Sequence, residues 1–205
     1  MGGGEDSRIP AILSECLAEV RPDLGLVVRT YSFDPDIAMS QISSWVDELR
    51  PELVIGESMG ATHALCVGGV PHILVSPAMG APVVFHQLAW FSLIPGVSAV
   101  LDRIYKPRPG RRQPLHFSFA VLRKWKSHVR QAYLASERDV AQGRVPFAFF
   151  GTRDHYRKWG VVNERAWRRR FGADSCMVYD GTHFMEEEYV HTLLLSRICE
   201  TLPPA

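Results

Sequence analysis

The sequence predicts an α/β fold, a mostly parallel sheet with helices on both faces. Short apolar runs typical of buried strands alternate with amphipathic helical patterns, first from residue 9 to 78 and again after residue 145. Strands and helices in this order pair the strands in parallel through right-handed crossovers. We expect all 205 residues to form one domain, because the chain has no repeat and no linker long enough to separate two.

The first half of the chain alternates regularly between the two patterns. Apolar side chains recur at helical spacing from Ile9 to Val20. A second amphipathic helix should stop before Pro51, since proline disfavours a helical conformation in the residue before it. The predicted strands cover residues 24–30, 52–56 and 72–77, and the predicted helices cover 9–20, 42–49 and 61–69.

The alternation resumes near the end of the chain. The runs PFAFFG (146–151) and SCMVYD (175–180) predict strands, with helices predicted over 163–171 and 189–198. Between about 80 and 145 the sequence loses its period and becomes rich in proline, aromatic and basic residues. We therefore expect a cap inserted over the edge of the sheet, within the single domain 1–205.

Composition and charge argue against several classes of function. The formal net charge of +1 disfavours nucleic-acid binding by the chain as a whole. The four cysteines form no C-x-x-C pair and no secretory signal is visible, so we expect reduced thiols and a cytoplasmic location. Pro71, Pro77 and Pro82 interrupt the richest apolar stretch, which makes it a poor membrane span. The histidines lack ligand spacing, so no metal and no other cofactor is predicted.

The stretch GESMG at 56–60 predicts a nucleophile turn. A sharp turn from a strand into a helix leaves no room for side chains two positions before and after its apex, which explains Gly56 and Gly60. Its apex, Ser58, should be displayed at the carboxyl edge of a parallel sheet, where ligands bind. Ser58 is therefore a candidate nucleophile, and a glycine-flanked turn with an incidental serine is the alternative.

Serine needs a base, and the base needs a carboxylate that orients it. Asp154 follows the predicted strand 146–151 and His183 follows the strand 175–180. Both side chains should therefore lie at the same edge of the sheet as Ser58. Asp180 is a rival acid, although its position ahead of the last helix is more typical of a turn or cap.

In these segments the chain resembles the α/β-hydrolase family. GESMG matches the nucleophile elbow, GTRDHY the acid loop and DGTHFM the histidine loop. The resemblance implies that Ser58 attacks an acyl carbonyl, that His183 takes and returns the proton, and that Asp154 orients the imidazole and stabilises its charged form.

The resemblance also implies an oxyanion hole. The first donor would be the backbone N–H of Met59, and the glycine-rich start makes Gly3 or Gly4 the second. The histidine that usually precedes such a loop is absent, as are the first strands of the family's sheet. We therefore expect an α/β-hydrolase fold reduced at its N-terminus, and a disordered glycine-rich start is the alternative for these residues.

The predicted cap offers the only clues to the substrate. Its apolar side chains either roof a pocket for an acyl chain or aromatic group, or pack the cap onto the sheet. The residues assigned to such a pocket are Phe85, Leu88, Trp90 and Phe91. The basic residues between 101 and 130 are more typical of a solvated face than of a site for an anionic acyl carrier.

Taken together, the sequence predicts a serine hydrolase that cleaves a small-molecule carboxylic ester or thioester through an acyl-enzyme. An acyltransferase would use the same three residues and differ only in the nucleophile that reaches the acyl-enzyme. A non-catalytic binding module on the same fold is a further alternative. The sequence leaves the oligomeric state open.

Overall fold

Four parallel strands form the sheet of the computed structural model, which describes residues 4–5, 7–105, 113 and 115–202. The strands lie side by side in the order in which they occur along the chain. They are β1 (Val54–Glu57), β2 (His72–Val75), β3 (Phe147–Gly151) and β4 (Cys176–Tyr179). The prediction of an α/β fold with a parallel sheet is confirmed.

Helices precede, connect and follow these strands. They are α1 (Arg8–Val20), α2 (Pro35–Leu49), α3 (Gly60–Ala64), α4 (Ala81–Phe91), α5 (Val97–Ile104), α6 (Phe119–Ala141), α7 (Glu164–Phe171), α8 (Glu187–Tyr189) and α9 (Leu195–Thr201). A π-helical turn, Val190–Leu194, joins α8 to α9, and short 3₁₀ helices cover His155–Trp159 and Ala173–Ser175. Within the described ranges, no helix is both long enough and apolar enough to cross a bilayer.

The register of the sheet brings the carboxyl ends of the strands to one edge. Glu57, the last residue of β1, pairs with Val75, the last residue of β2. Val75 also pairs with Phe149 of β3. Gly151 at the end of β3 pairs with Tyr179 at the end of β4. The loops that follow the four strands therefore begin close together, and this edge is where the predicted site residues belong.

The two faces of the sheet carry separate apolar cores. Alternate side chains of a strand point to opposite faces, so Leu74 and Phe150 belong to one core while Ile73 and Phe149 belong to the other. Helices α3, α4, α6 and α7 cover the first core, and α1 with the C-terminal helices covers the second. Helices therefore lie on both faces, as the sequence predicts.

The segment 24–30 is not the buried strand that its apolar composition predicts. It belongs to no strand, and its burial alternates along the chain. Leu24 and Leu26 pack against the second core, whereas Val27 is 54% exposed. Apolar neighbours contact only one side of this segment, and its other side is exposed to solvent. The apolar composition of the run does not reveal this difference between its two sides.

The region from 80 to 145 keeps a helical period that its basic residues obscure. Helix α6 buries Leu122, Trp125, Val129 and Ala132, which are spaced by three and four residues. It packs against α2, α3 and α4 and is part of the body of the fold. The prediction that this whole region lacks a period is therefore wrong for α6. A cap formed by the remainder of the region stays a prediction.

Candidate active site

Ser58 occupies the sharp turn between β1 and α3. Its φ angle of +53° is a left-handed value that costs a residue with a side chain about 1–2 kcal/mol. The Ser58 N–H donates to the carbonyl of Val75 at 2.8 Å. Its carbonyl accepts from the N–H groups of Ala78 and Ala61 at 3.0 and 3.3 Å. Gly56 is required because a Cβ there would lie 2.8 Å from the Cα of Ala61.

His183 lies in the loop that follows β4, and its imidazole contacts Ser58. The Nε2 atom is 2.8 Å from the Ser58 Oγ, and the Nδ1 atom is 2.8 Å from the Asp154 Oδ2. His183 is 2% exposed, and the rings of Tyr156 and Phe184 pack against its imidazole with centroid distances of 4.5 and 5.0 Å. These aromatic contacts limit rotation of the imidazole and exclude water from its faces.

Asp154 follows β3 and caps the short 3₁₀ helix after it. Its Oδ1 accepts the N–H of Tyr156 at 2.8 Å, which leaves Oδ2 for His183. Burial by itself raises the pKa of Asp154, but the hydrogen bonds from His183 and the Tyr156 N–H outweigh it and hold the pKa below its ordinary value. Asp154 is therefore ionised at neutral pH although its side chain is buried.

The charge of Asp154 determines the direction of both hydrogen bonds. An ionised carboxylate can only accept, so His183 Nδ1 must donate to it. In a neutral imidazole the other nitrogen, Nε2, then has a free lone pair and accepts the Ser58 hydroxyl proton. The structure thus brings together Ser58, His183 and Asp154 in a line along which a proton can move from oxygen to nitrogen.

The predicted oxyanion donors have different surroundings. The N–H of Met59, next to Ser58, donates to no acceptor among the described residues. The N–H of Gly4, by contrast, donates to the Ser7 Oγ at 2.9 Å within its own turn, so it is not available to a substrate in this arrangement. Gly3 lies outside the described residues. Met59 therefore remains the one predicted donor with a free N–H in the described part of the chain.

The residues predicted to line a substrate pocket do not share one surface. Phe85 faces inward and is 5% exposed, with Phe33 and Trp125 as ring neighbours. Leu88 is partly buried against the same core. Trp90 and Phe91 are 56% and 60% exposed at the end of α4. Helix α4 thus turns Phe85 toward the core and Trp90 and Phe91 outward, and a pocket lined by all four side chains stays a prediction.

The rival acid, Asp180, and the histidine next to Asp154, His155, lie outside the hydrogen-bonded line. Asp180 accepts from the Thr152 hydroxyl at 2.9 Å and pairs with Arg153 at 3.1 Å on the exposed side of the loop. The His155 ring stacks on Tyr156, and its centroid is 6.2 Å from that of His183. Within the described ranges, no set of three or more His, Cys, Asp or Glu side chains is arranged to hold a metal ion.

Two ionisable residues beside Ser58 have no counterpart in the sequence analysis. The Oε1 of Glu57 is buried without a hydrogen-bond partner among the described residues. Burial raises the pKa of Glu57 to about 7, although His183 and Arg8 act to lower it. Burial, followed by repulsion from Glu57, raises the pKa of Tyr31 to about 12. Nothing in the sequence signals this burial, because the position before the serine in G-x-S-x-G accepts many residue types.

Comparison with known proteins identifies the fold. A scan with protein-family models and a search of curated proteins found no match. Among solved structures, a monoacylglycerol lipase of Paleococcus ferrophilus is similar, with a TM-score of 0.53 and 16% identity over 85% of this chain and 78% of that one. A carboxylesterase structure from the thaumarchaeon Nitrososphaera gargenis aligns with a TM-score of 0.48 and 12% identity, over 84% and 73% of the two chains.

The sheet and its helices define a parallel α/β protein. The structural similarity to the lipase identifies which α/β fold this is. The chain has the α/β-hydrolase fold. The predicted resemblance to this family is thus confirmed for the fold, on a comparison independent of the sequence motifs that suggested it.

Proposed function

We propose that this chain is a serine hydrolase that cleaves a carboxylic ester or thioester through an acyl-enzyme intermediate. The observation that carries the proposal is the continuous hydrogen-bonded line from Asp154 through His183 to Ser58, with both distances at 2.8 Å. Nucleophile, base and orienting carboxylate come from three separate strand ends, and a serine activated in this way can attack an acyl carbon.

In the first half of the proposed reaction, the Ser58 Oγ attacks the acyl carbonyl carbon while His183 Nε2 takes the hydroxyl proton. The carbonyl π electrons move to oxygen, and the free Met59 N–H stabilises the resulting oxyanion. The tetrahedral intermediate then expels the alcohol or thiol, which receives the proton from His183. The product of this step is an ester of Ser58.

In the second half, water repeats the sequence on the acyl-enzyme. His183 takes a proton from the water, whose oxygen adds to the acyl carbon, and collapse of the intermediate returns the proton to the Ser58 Oγ. A carboxylic acid leaves and the free enzyme is restored. Ionised Asp154 stabilises the imidazolium formed in both halves, which is why its depressed pKa favours the proposal.

Labelling with a fluorophosphonate probe tests this proposal directly. The probe phosphonylates an activated serine, so the intact protein should gain one adduct at Ser58 that Ser58→Ala removes and His183→Ala strongly slows. Ser76→Ala is the matched control, because Ser76 follows the neighbouring strand with a similar φ of +46° but is buried and has no hydrogen-bonded base in the described structure. Absence of labelling in the wild-type protein would count against catalysis and favour a binding module.

A substrate panel then separates the remaining alternatives. The panel contains short and long acyl esters, the corresponding thioesters and a monoacylglycerol, which is included because a monoacylglycerol lipase shares the fold. The wild-type protein should hydrolyse members of this panel, and Ser58→Ala should lose that activity. Added alcohol distinguishes acyl transfer from hydrolysis, since an acyltransferase would form the new ester in preference to the free acid. Turnover that persists unchanged in Ser58→Ala contradicts the assignment of the nucleophile.

A further inference from the structure

Six large apolar side chains between the end of α4 and the end of α5 are exposed. Each is more than half exposed. We call this group the α4–α5 apolar surface, and its members are Trp90, Phe91, Leu93, Ile94, Val100 and Ile104. Single exposed apolar residues are ordinary, but a concentration of this kind marks a site of interaction.

Helix α5 has no buried residue, yet hydrogen bonds hold it in place. The Ser98 hydroxyl donates to the carbonyl of Phe117 at 2.5 Å. The Asp102 carboxylate accepts from the Phe117 N–H and from His116 Nδ1, both at 2.8 Å. These contacts fix the inner side of α5 to the segment before α6. Its outer apolar side chains stay uncovered although the helix is anchored.

Basic side chains border the α4–α5 apolar surface. Arg103 is exposed on α5. Arg123 of α6 lies 5.4 Å from the ring of Phe119, which in turn contacts the Trp90 ring at 5.4 Å. Lys126 follows one helical turn later and is exposed. In the described part of the chain none of these cations forms an ion pair, and the acid of α5, Asp102, is occupied by the contacts named above.

The charges decide between two possible occupants of this surface. A symmetric pairing with a second copy would present the same border twice, and that border contributes unpaired basic residues while its acid, Asp102, is already occupied, so positive charge would be brought together without compensation. A bilayer with anionic headgroups offers the opposite charge beside an apolar interior. The combination of exposed tryptophan, aliphatic side chains and a basic border matches the requirements for binding at a membrane interface.

We propose that the α4–α5 apolar surface binds the surface of an anionic lipid bilayer. Trp90, Phe91 and Ile104 enter the boundary between headgroups and acyl chains, while Arg103 and Arg123 contact lipid phosphates. The proposal concerns where the protein binds, and it does not depend on the hydrolase activity proposed above.

Vesicle flotation tests the proposal with the whole chain. Vesicles of phosphatidylcholine alone are compared with vesicles that also contain phosphatidylglycerol, at low and high salt. We expect binding to the anionic vesicles, weakened by salt because the lipid attraction is screened. Arg103→Ser and Arg123→Ser should each lower the partition coefficient roughly fivefold, which corresponds to about 1 kcal/mol per cation near the membrane.

Paired variants assign the binding to this surface. The double variant Phe91→Ser with Ile104→Ser should lower partitioning by at least about tenfold, since membrane affinity scales with the apolar area inserted. Val27→Ser with Val145→Ser is the matched control, because both valines are exposed and lie outside the α4–α5 apolar surface. Circular dichroism of each variant verifies the fold independently of any catalytic activity.

Several results would overturn the proposal. These are an absence of binding to anionic vesicles, equal binding to neutral vesicles that salt does not weaken, and an unchanged partition coefficient in the Phe91 and Ile104 double variant. A concentration-dependent dimer that this double variant abolishes, without vesicle binding by the wild type, would assign the surface to a second copy instead.

Discussion

Replacement of Glu57 by glutamine should change how the stability of the protein depends on pH. Glu57 ends β1 immediately before Ser58, and its buried Oε1 has no hydrogen-bond partner among the described residues. Burial disfavours the charged form of the carboxylate, and this raises the pKa of Glu57 from 4.5 to about 7. The folded protein therefore holds Glu57 neutral over a range of pH in which the unfolded chain ionises it.

The sign and size of the effect follow from proton linkage. Below pH 4.5 both states carry the proton and the free energy of unfolding is unaffected. Between 4.5 and about 7 only the folded state retains it, so stability falls as the pH rises. Once the pH exceeds both pKa values, the free energy of unfolding has fallen by about 3 kcal/mol in total. Glutamine does not ionise, so the variant does not lose stability in this way. The amide can change the free energy of unfolding only by an amount that is the same at every pH.

Urea unfolding at several values between pH 4.5 and pH 8, the range set by the two pKa values, measures the effect. The stability difference between Glu57→Gln and the wild type should shift in favour of the variant by about 3 kcal/mol across this range. Glu52→Gln, at an exposed position two residues before β1 begins, is the control and should follow the wild type. A difference between Glu57→Gln and the wild type that stays constant with pH would refute the reasoning.

Two further predictions concern the histidine loop and its acid. Asp154→Asn should lower the turnover number by about 10⁴ and slow fluorophosphonate labelling similarly, because an amide donor at this position favours the wrong imidazole tautomer. Gly151→Ala should reduce both stability and labelling rate, since a Cβ there would meet the backbone carbonyls of Gly181 and Thr182 just before His183. Gly25→Ala, where nothing lies within 4 Å of the added Cβ, should be close to neutral in both thermal unfolding and labelling.

The convergence of Ser58, Asp154 and His183 could be predicted because parallel strands impose it. Each residue follows a short apolar run by a few positions, and the carboxyl ends of such strands share one edge. Sequence separation is irrelevant to this argument, so residues 125 positions apart, Ser58 and His183, are brought within hydrogen-bond distance. The fold class and the three residues follow from the same pattern.

The burial of individual side chains could not be predicted from the sequence in the same way. LGLVVRT at 24–30 has the composition of a buried strand, but its exposure depends on what packs against its outer side. Trp125 in α6 stands between basic residues in the sequence, although its own side chain is 1% exposed. The burial of the Glu57 carboxylate was likewise not predictable, since a carboxylate is normally expected at the surface. In each case tertiary packing outweighs local composition.

A comparison of Ser58 with Ser76 separates backbone strain from chemistry. Both serines follow neighbouring parallel strands and both have left-handed φ angles, +53° and +46°. The Ser76 hydroxyl is nevertheless buried without a partner in the described structure, whereas the Ser58 hydroxyl meets an imidazole at 2.8 Å. The strained conformation therefore arises from how the chain leaves the sheet and is not specific to a nucleophile. What distinguishes Ser58 is that the loop after β4 brings His183 to it, and the reactivity we propose depends on that contact.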